Sequence, residues 1–121
     1  MANGRKITGG KYKFFRKKKK FELANDPRKV KLRQTRKKTI RGLGGNKRTV
    51  LLGTDIANVL DPKTNKTKKV KIKNVLETPA DRFLARQNIL VKSGIIETDL
   101  GKAKITNRPS QEGQVNAVLI Q

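Results

Sequence analysis

The chain contains no cysteine and no histidine. The first absence removes disulfides, thiolate chemistry and the usual zinc sites. The second removes imidazole as a general base, and with it the serine and cysteine triads that depend on it. Acids are scarce as well: nine Asp and Glu occur in 121 residues, and no pair of them reads as an acid/base constellation. Apolar residues make up 34% of the chain, and no run approaches the roughly 20 residues of a membrane span. Met1-Ala-Asn-Gly-Arg-Lys6 leads into no apolar stretch, so no secretory signal is expected there. The expectation is a protein without enzymatic activity, cofactor, metal centre or small-molecule substrate.

Positive charge is what the chain has in excess. It holds 31 Lys and Arg against 9 Asp and Glu, a formal net charge of +22, with a pI near 11.0. Such a surplus repels itself in a compact monomer, so a polyanion is the natural partner and a homo-oligomer is not expected. Nucleic acid fits best, because each cation that neutralises a phosphate releases a condensed counterion. An anionic membrane would answer the same charge, but it calls for an amphipathic basic helix or a lipidation motif, and neither is found.

The charge is unevenly placed. Residues 1–48 hold 19 Lys and Arg and two acids, 19 − 2 = +17, whereas residues 49–121 hold 12 and seven, 12 − 7 = +5. The first portion is poor in aliphatic residues and rich in glycine. It reads as a basic extension that cannot bury enough apolar surface to offset chain entropy and that orders on RNA. The second portion, 49–121, carries nearly all the hydrophobic periodicity and reads as the folded core.

Within that core the pattern is mostly β. Thr49–Gly53, Ile56–Leu60, Lys69–Lys73, Ile89–Lys92, Ile95–Thr98, Lys102–Thr106 and Val115–Ile120 are strand candidates. Asp61-Pro-Lys-Thr-Asn-Lys66 is dense in turn residues. Thr78-Pro-Ala-Asp81 reads as a helix start with Thr78 as N-cap, the helix ending near Asn88. Val115, Ala117 and Leu119 share one face of the last strand and Val118 and Ile120 the other, which suggests burial on both sides. The expected fold is a small antiparallel β-barrel of five or six strands with one short helix, preceded by the extended basic arm.

The strongest local feature is Arg16-Lys17-Lys18-Lys19-Lys20, preceded by Lys11-Tyr12-Lys13-Phe14-Phe15. Adjacent cations call for phosphates, and interleaved aromatics can stack on unpaired bases. A solvated polybasic tail is the bland alternative. A second cluster runs from Arg28 and Lys29 through Lys31, Arg33, Arg36, Lys37 and Lys38 to Arg41, Lys47 and Arg48. Its cations fall on most sides of any helix, so an extended arm between RNA segments explains them better than a surface helix does. Gly42 to Lys47 lacks the spacing and the following Ser or Thr of a nucleotide-binding loop. Lys63, Lys66, Lys68 and Lys69 around the Asp61 turn are further candidates for phosphate contact, as are Arg82, Arg86, Lys102, Lys104 and Arg108. An ordinary solvated charge is at least as good a reading of each. Asn65-Lys66-Thr67 matches a glycosylation sequon that is accidental in a chain of this type. Thr8-Gly9-Gly10 would let a backbone approach phosphates, although on two glycines alone a flexible hinge is the plainer reading.

Arg5-Lys6-Ile7-Thr8-Gly9-Gly10, then Arg16-Lys17 and Glu22-Leu23, resembles the N-terminal signature of the small-subunit ribosomal protein eight-e family. Gly44-Gly45-Asn46, Asp61-Pro-Lys-Thr64, Asn88-Ile89, Gly94–Thr98, Leu100-Gly-Lys-Ala103 and Val115–Ile120 are similar to it in the same order. The resemblance runs from about residue 4 to the C-terminus, and the length matches the shorter, archaeal form. Phe21 and Leu43 depart from the family's usual residues. The resemblance implies a β-barrel with a basic N-terminal extension, bound to ribosomal RNA in a cytoplasmic small subunit beside other ribosomal proteins. Its matching positions are Arg5, Thr8, Gly9, Gly10, Arg16, Lys17, Gly44, Gly45 and Asn46, and with neighbouring Lys6 they join the expected RNA contacts.

Overall fold

A computed structural model describes residues 4–13, 15–24 and 27–120. Its strands are β1 (Lys31–Leu32), β2 (Arg36–Arg41), β3 (Lys47–Thr54), β4 (Ile56–Asp61), β5 (Lys66–Glu77), β6 (Ile95–Thr98), β7 (Gly101–Ile105) and β8 (Asn116–Leu119), with one helix, α1 (Arg82–Arg86), between β5 and β6.

Strands β4 to β8 close into a barrel in chain order. Each successive pair is antiparallel, while β8 returns to pair with β4 in parallel, Val59 opposite Ala117. The parallel seam follows from the odd strand count: after four alternations the fifth strand runs the same way as the first. β5 is twelve residues long because it serves two neighbours, pairing with β4 over Lys66–Lys71 and with β6 from Ile72 onward. A register shift between Ile72 and Asn74 bends it from one partner to the other, as a bulge does at a barrel corner.

A five-stranded barrel is narrow, and its filling reflects that. Large residues face small ones across the pairs, Val59 and Ile105 against Ala117 and Ile96 against Ala103, and all five are almost wholly buried. The outer face of β8 is only half covered: Val118 is partly buried and Ile120 is exposed, so burial is one-sided, contrary to the two-sided burial expected from its composition.

The second unit is a three-stranded sheet in the order β1-β3-β2. It is part of the same core: Val30 and Leu51 cluster with the barrel's buried residues. The Leu90 amide donates to the Val30 carbonyl at 2.8 Å and the Leu32 amide to the Asn88 carbonyl at 2.9 Å. The change in composition after Arg48 falls inside β3, and Arg36–Arg41, read from sequence as part of an arm, is a strand hydrogen-bonded to it.

Other local expectations shift by a few residues. Ile89–Lys92 is not a strand but makes an isolated bridge, Ile89 to Lys31, before a turn. Helix α1 is capped by Asp81, whose carboxylate accepts the Phe83 amide at 2.8 Å, and it ends at Arg86 rather than near Asn88. Thr78 sits one turn earlier, buried.

Candidate nucleic-acid interface

The β2–β3 hairpin is buried at one end and stands in solvent at the other. Val50, Leu51, Gly53 and Thr54 of β3 are buried and anchor it, whereas every residue from 41 to 49 is exposed. Its loop, Gly42 to Asn46, is held by the Gly42 amide donating to the Asn46 carbonyl at 2.6 Å and by Asn46 Nδ2 donating to the Leu43 carbonyl at 3.1 Å. Gly44 and Gly45 both have positive φ, 69° and 78°, which side-chain-bearing residues rarely adopt. The three motif residues Gly44, Gly45 and Asn46 thus build the turn itself. Leu43 stands at its tip, fully exposed.

Around that tip the charge is of one sign. Arg41 lies directly across from Lys47, and Arg48 across from Ile40. Arg36, Lys37 and Lys38 continue along β2, all exposed. Among the described residues none of these six cations has a carboxylate within ion-pair distance. Like charges directly opposite in a ladder destabilise it, so this element is built at a cost that bound phosphates would offset.

The chain before β1 adds a second basic surface. Arg5 and Lys11 bridge as a small hairpin closed by Lys6 amide to Gly10 carbonyl at 2.8 Å and Gly9 amide to Lys6 carbonyl at 2.9 Å, with Arg5 Nη1 donating to the Gly9 carbonyl. Thr8-Gly9-Gly10 is therefore a turn, not a hinge, with Gly9 at φ 80°. Lys6 Nζ lies 5.8 Å from the centroid of the Tyr12 ring. Phe15 and Phe21 stand almost fully in solvent beside exposed Lys13, Lys17, Lys18, Lys19 and Lys20. Phe14 lies outside the described residues.

Some of the expected phosphate contacts are already engaged. Both terminal nitrogens of Arg16 grip the Glu22 carboxylate, at 2.7 and 2.8 Å, and the Lys19 amide donates to it at 2.9 Å. The Arg16 guanidinium first, and the Lys19 amide second, hold the Glu22 carboxyl down to about 2. Arg28 is half-buried, its Nε donating to the Ser110 carbonyl at 3.1 Å, which ties the arm to the loop before β8. The stem of Arg33 lies over Gly53, where a Cβ would sit 2.6 Å from it. Lys29 and Lys31 are exposed.

At the β4–β5 turn, Asp61 accepts the Lys63 amide at 3.0 Å and the Thr64 hydroxyl at 2.9 Å, and these donors lower its pKa. The turn leaves Lys63, Lys66 and Lys68 exposed. Lys69 and Lys71 are exposed on β5 across from Asn58 and Ile56, and of the two only Lys71 was not among the expected RNA contacts. The alternation of Lys with Val70 and Ile72 was their signal: it marks a strand, and it also marks a strand with one basic face.

Other proteins match nearly the full length of this chain. The family described as Ribosomal protein S8e matches residues 1–120. A small ribosomal subunit protein eS8 from Methanococcus aeolicus is 51% identical over 96% of this chain and 91% of its own length. Proteins of the same name from Methanocorpusculum labreanum and Sulfurisphaera tokodaii are each 48% identical, covering 97% of this chain and 94% and 92% of theirs. A match of that length runs through the glycine turn, the arm and the barrel alike, and the chain belongs to the ribosomal protein S8e family.

Proposed function

We propose that this protein is a structural component of the small ribosomal subunit and binds ribosomal RNA through phosphate contacts. The basic extension, residues 1–48, supplies most of them, and the β4–β5 turn with Lys63, Lys66 and Lys68 supplies others. Residues 49–121, joined by Val30 and by strands β1 and β2, form the core that carries this surface. The protein acts without catalysis, as a single copy beside neighbouring ribosomal proteins on cytoplasmic ribosomes. The observation that carries the reading is the β2–β3 hairpin, whose cations stand together without a carboxylate partner among the described residues. Full-length relatives named as small ribosomal subunit proteins support it.

Sedimentation of a gentle lysate at low and high salt tests it. The protein should travel with small subunits at low salt and leave them only when salt competes strongly for phosphates. Sedimentation with DNA, or free protein at low salt, would sink the reading.

A further inference from the structure

A cleft of about 480 Å³ lies between the C-terminal part of β5 and α1, and no residue of the β2–β3 hairpin lines it. Asn74, Glu77, Thr78, Arg82, Arg86 and Asn88 line it. Its chemistry differs from that of a surface that only neutralises phosphates. Arg82 and Arg86 are one helical turn apart on the same face of α1. Arg86 is steadied by Phe83, its guanidinium carbon 5.9 Å from the ring centroid.

The two asparagines are oriented by their own carbonyl oxygens. Asn74 Oδ1 accepts the Val75 amide at 2.9 Å, and Asn88 Oδ1 accepts the same amide at 3.3 Å. Their Nδ2 groups make no hydrogen bond within the described protein and remain as donors. Thr78 is 2% exposed, and its Oγ1 is buried with no hydrogen-bond partner. A buried hydroxyl left unpaired is costly, and Thr78 lines the cleft, so a small displacement of the wall that let an entering group bond to it would be favoured. Glu77 supplies a carboxylate acceptor.

Cations for an anion, amide donors, a hydroxyl and a carboxylate acceptor match the mixed edge of a nucleobase joined to its phosphate. In a duplex that edge is paired, so only an unstacked nucleotide can present it. The volume lies in the range of pockets for molecules of that size.

We propose that this cleft receives one unpaired nucleotide of RNA, with its phosphate on Arg82 and Arg86 and its base edge on the Asn74 and Asn88 amides and the Thr78 hydroxyl. The inference rests on the RNA-binding function proposed above. It adds a site that reads a base to a surface that otherwise reads phosphate.

The test uses the full-length chain, labelled with ¹⁵N, and two probes: a short single-stranded RNA of mixed sequence and a blunt-ended RNA duplex. The single strand should shift the Asn74 and Asn88 side-chain amide resonances, and the duplex should leave them in place while shifting hairpin resonances. Arg82→Ala/Arg86→Ala should weaken single-strand binding by about tenfold and duplex binding by no more than about twofold. Thr78→Val, which keeps the shape of the side chain, should lower single-strand affinity several-fold, and retained folding is read from its spectrum. If the single strand moves only hairpin and arm resonances, the cleft is not a nucleotide site and the RNA-binding function stands. Equal weakening of both probes by the arginine variant, or tighter occupation by an acidic peptide, would also overturn the proposal. If neither RNA shifts any resonance, the RNA-binding function itself fails.

Discussion

Arg41 stands directly opposite Lys47 where the β2–β3 hairpin meets its loop. Two cations at facing positions repel, and the hairpin therefore carries an internal penalty in the free protein. Arg41→Glu replaces that repulsion with a cross-strand attraction. The variant should be more stable to urea than the parent, by about 0.2–1 kcal/mol. Its affinity for small-subunit ribosomal RNA should fall, on the order of tenfold at physiological salt. Urea melts and filter binding on the same preparations check both halves. A variant gaining stability with undiminished affinity would remove the hairpin from the RNA interface.

Salt dependence gives a second measure of the same surface. Neutralising a cation that touches phosphate reduces the slope of log affinity against log salt by about 0.9 for each contact on a duplex. Lys37→Ala/Lys38→Ala, on β2, should lower the slope by nearly twice that amount. Lys73 is a contrast: its ammonium is 3.2 Å from the Asp99 carboxylate, so Lys73→Ala should leave the slope unchanged. Equal slopes in all three proteins would mean that these lysines face only solvent.

Truncations locate where the fold begins. Val30 is 1% exposed, and its carbonyl accepts the Leu90 amide. Deletion of residues 1–29 should therefore leave the β-rich core folded while weakening RNA binding. Deletion of residues 1–40 removes Val30, β1 and nearly all of β2, stripping β3 of its partners. That loss should cost about 3 kcal/mol or more of unfolding free energy. Urea denaturation of the two truncations, compared with the whole chain, decides the point.

Those truncation endpoints also mark where sequence reading succeeded and where it ran short. The barrel strands were legible because Lys69–Lys73, Ile95–Thr98 and Lys102–Thr106 alternate or cluster apolar residues in short runs bounded by turns. β2 was not legible. Arg36-Lys-Lys-Thr-Ile-Arg41 has almost no buried side chain, and it is held by ladder hydrogen bonds to β3, which leave no hydrophobic period behind. Ile89–Lys92 misled in the opposite sense: Ile89 and Leu90 are buried, but by packing beneath β1 and α1 rather than in a ladder. For the candidate interface, runs of charge pointed to Arg16–Lys20 and to the hairpin. They did not indicate that Arg16 is occupied by Glu22, a contact six residues away that depends on the 3-10 turn at Lys20–Glu22. The cleft at α1 left no run at all, because Asn74, Thr78, Arg82 and Asn88 come together only when β5 and α1 pack.

The Arg16–Glu22 contact sets a pH dependence for the arm. Arg16 and the Lys19 amide favour the ionised carboxylate and lower the Glu22 pKa from 4.5 to about 2. A carboxyl whose pKa is lowered in the folded state contributes its stabilisation above the unfolded value and loses it as pH falls through the folded one. The arm's 3-10 turn should therefore stay in place down to about pH 4.5 and loosen between there and about pH 2. A carbon-detected NMR titration of the Glu22 carboxyl should show its midpoint near the lower value. Ribosomal RNA adds a second condition, because a phosphate that captures Arg16 takes away the main cause of the shift. In the complex the Glu22 midpoint should then move back up toward 4.5. An unchanged midpoint in the RNA complex would show that Arg16 keeps its carboxylate partner and leaves phosphate binding to the neighbouring lysines.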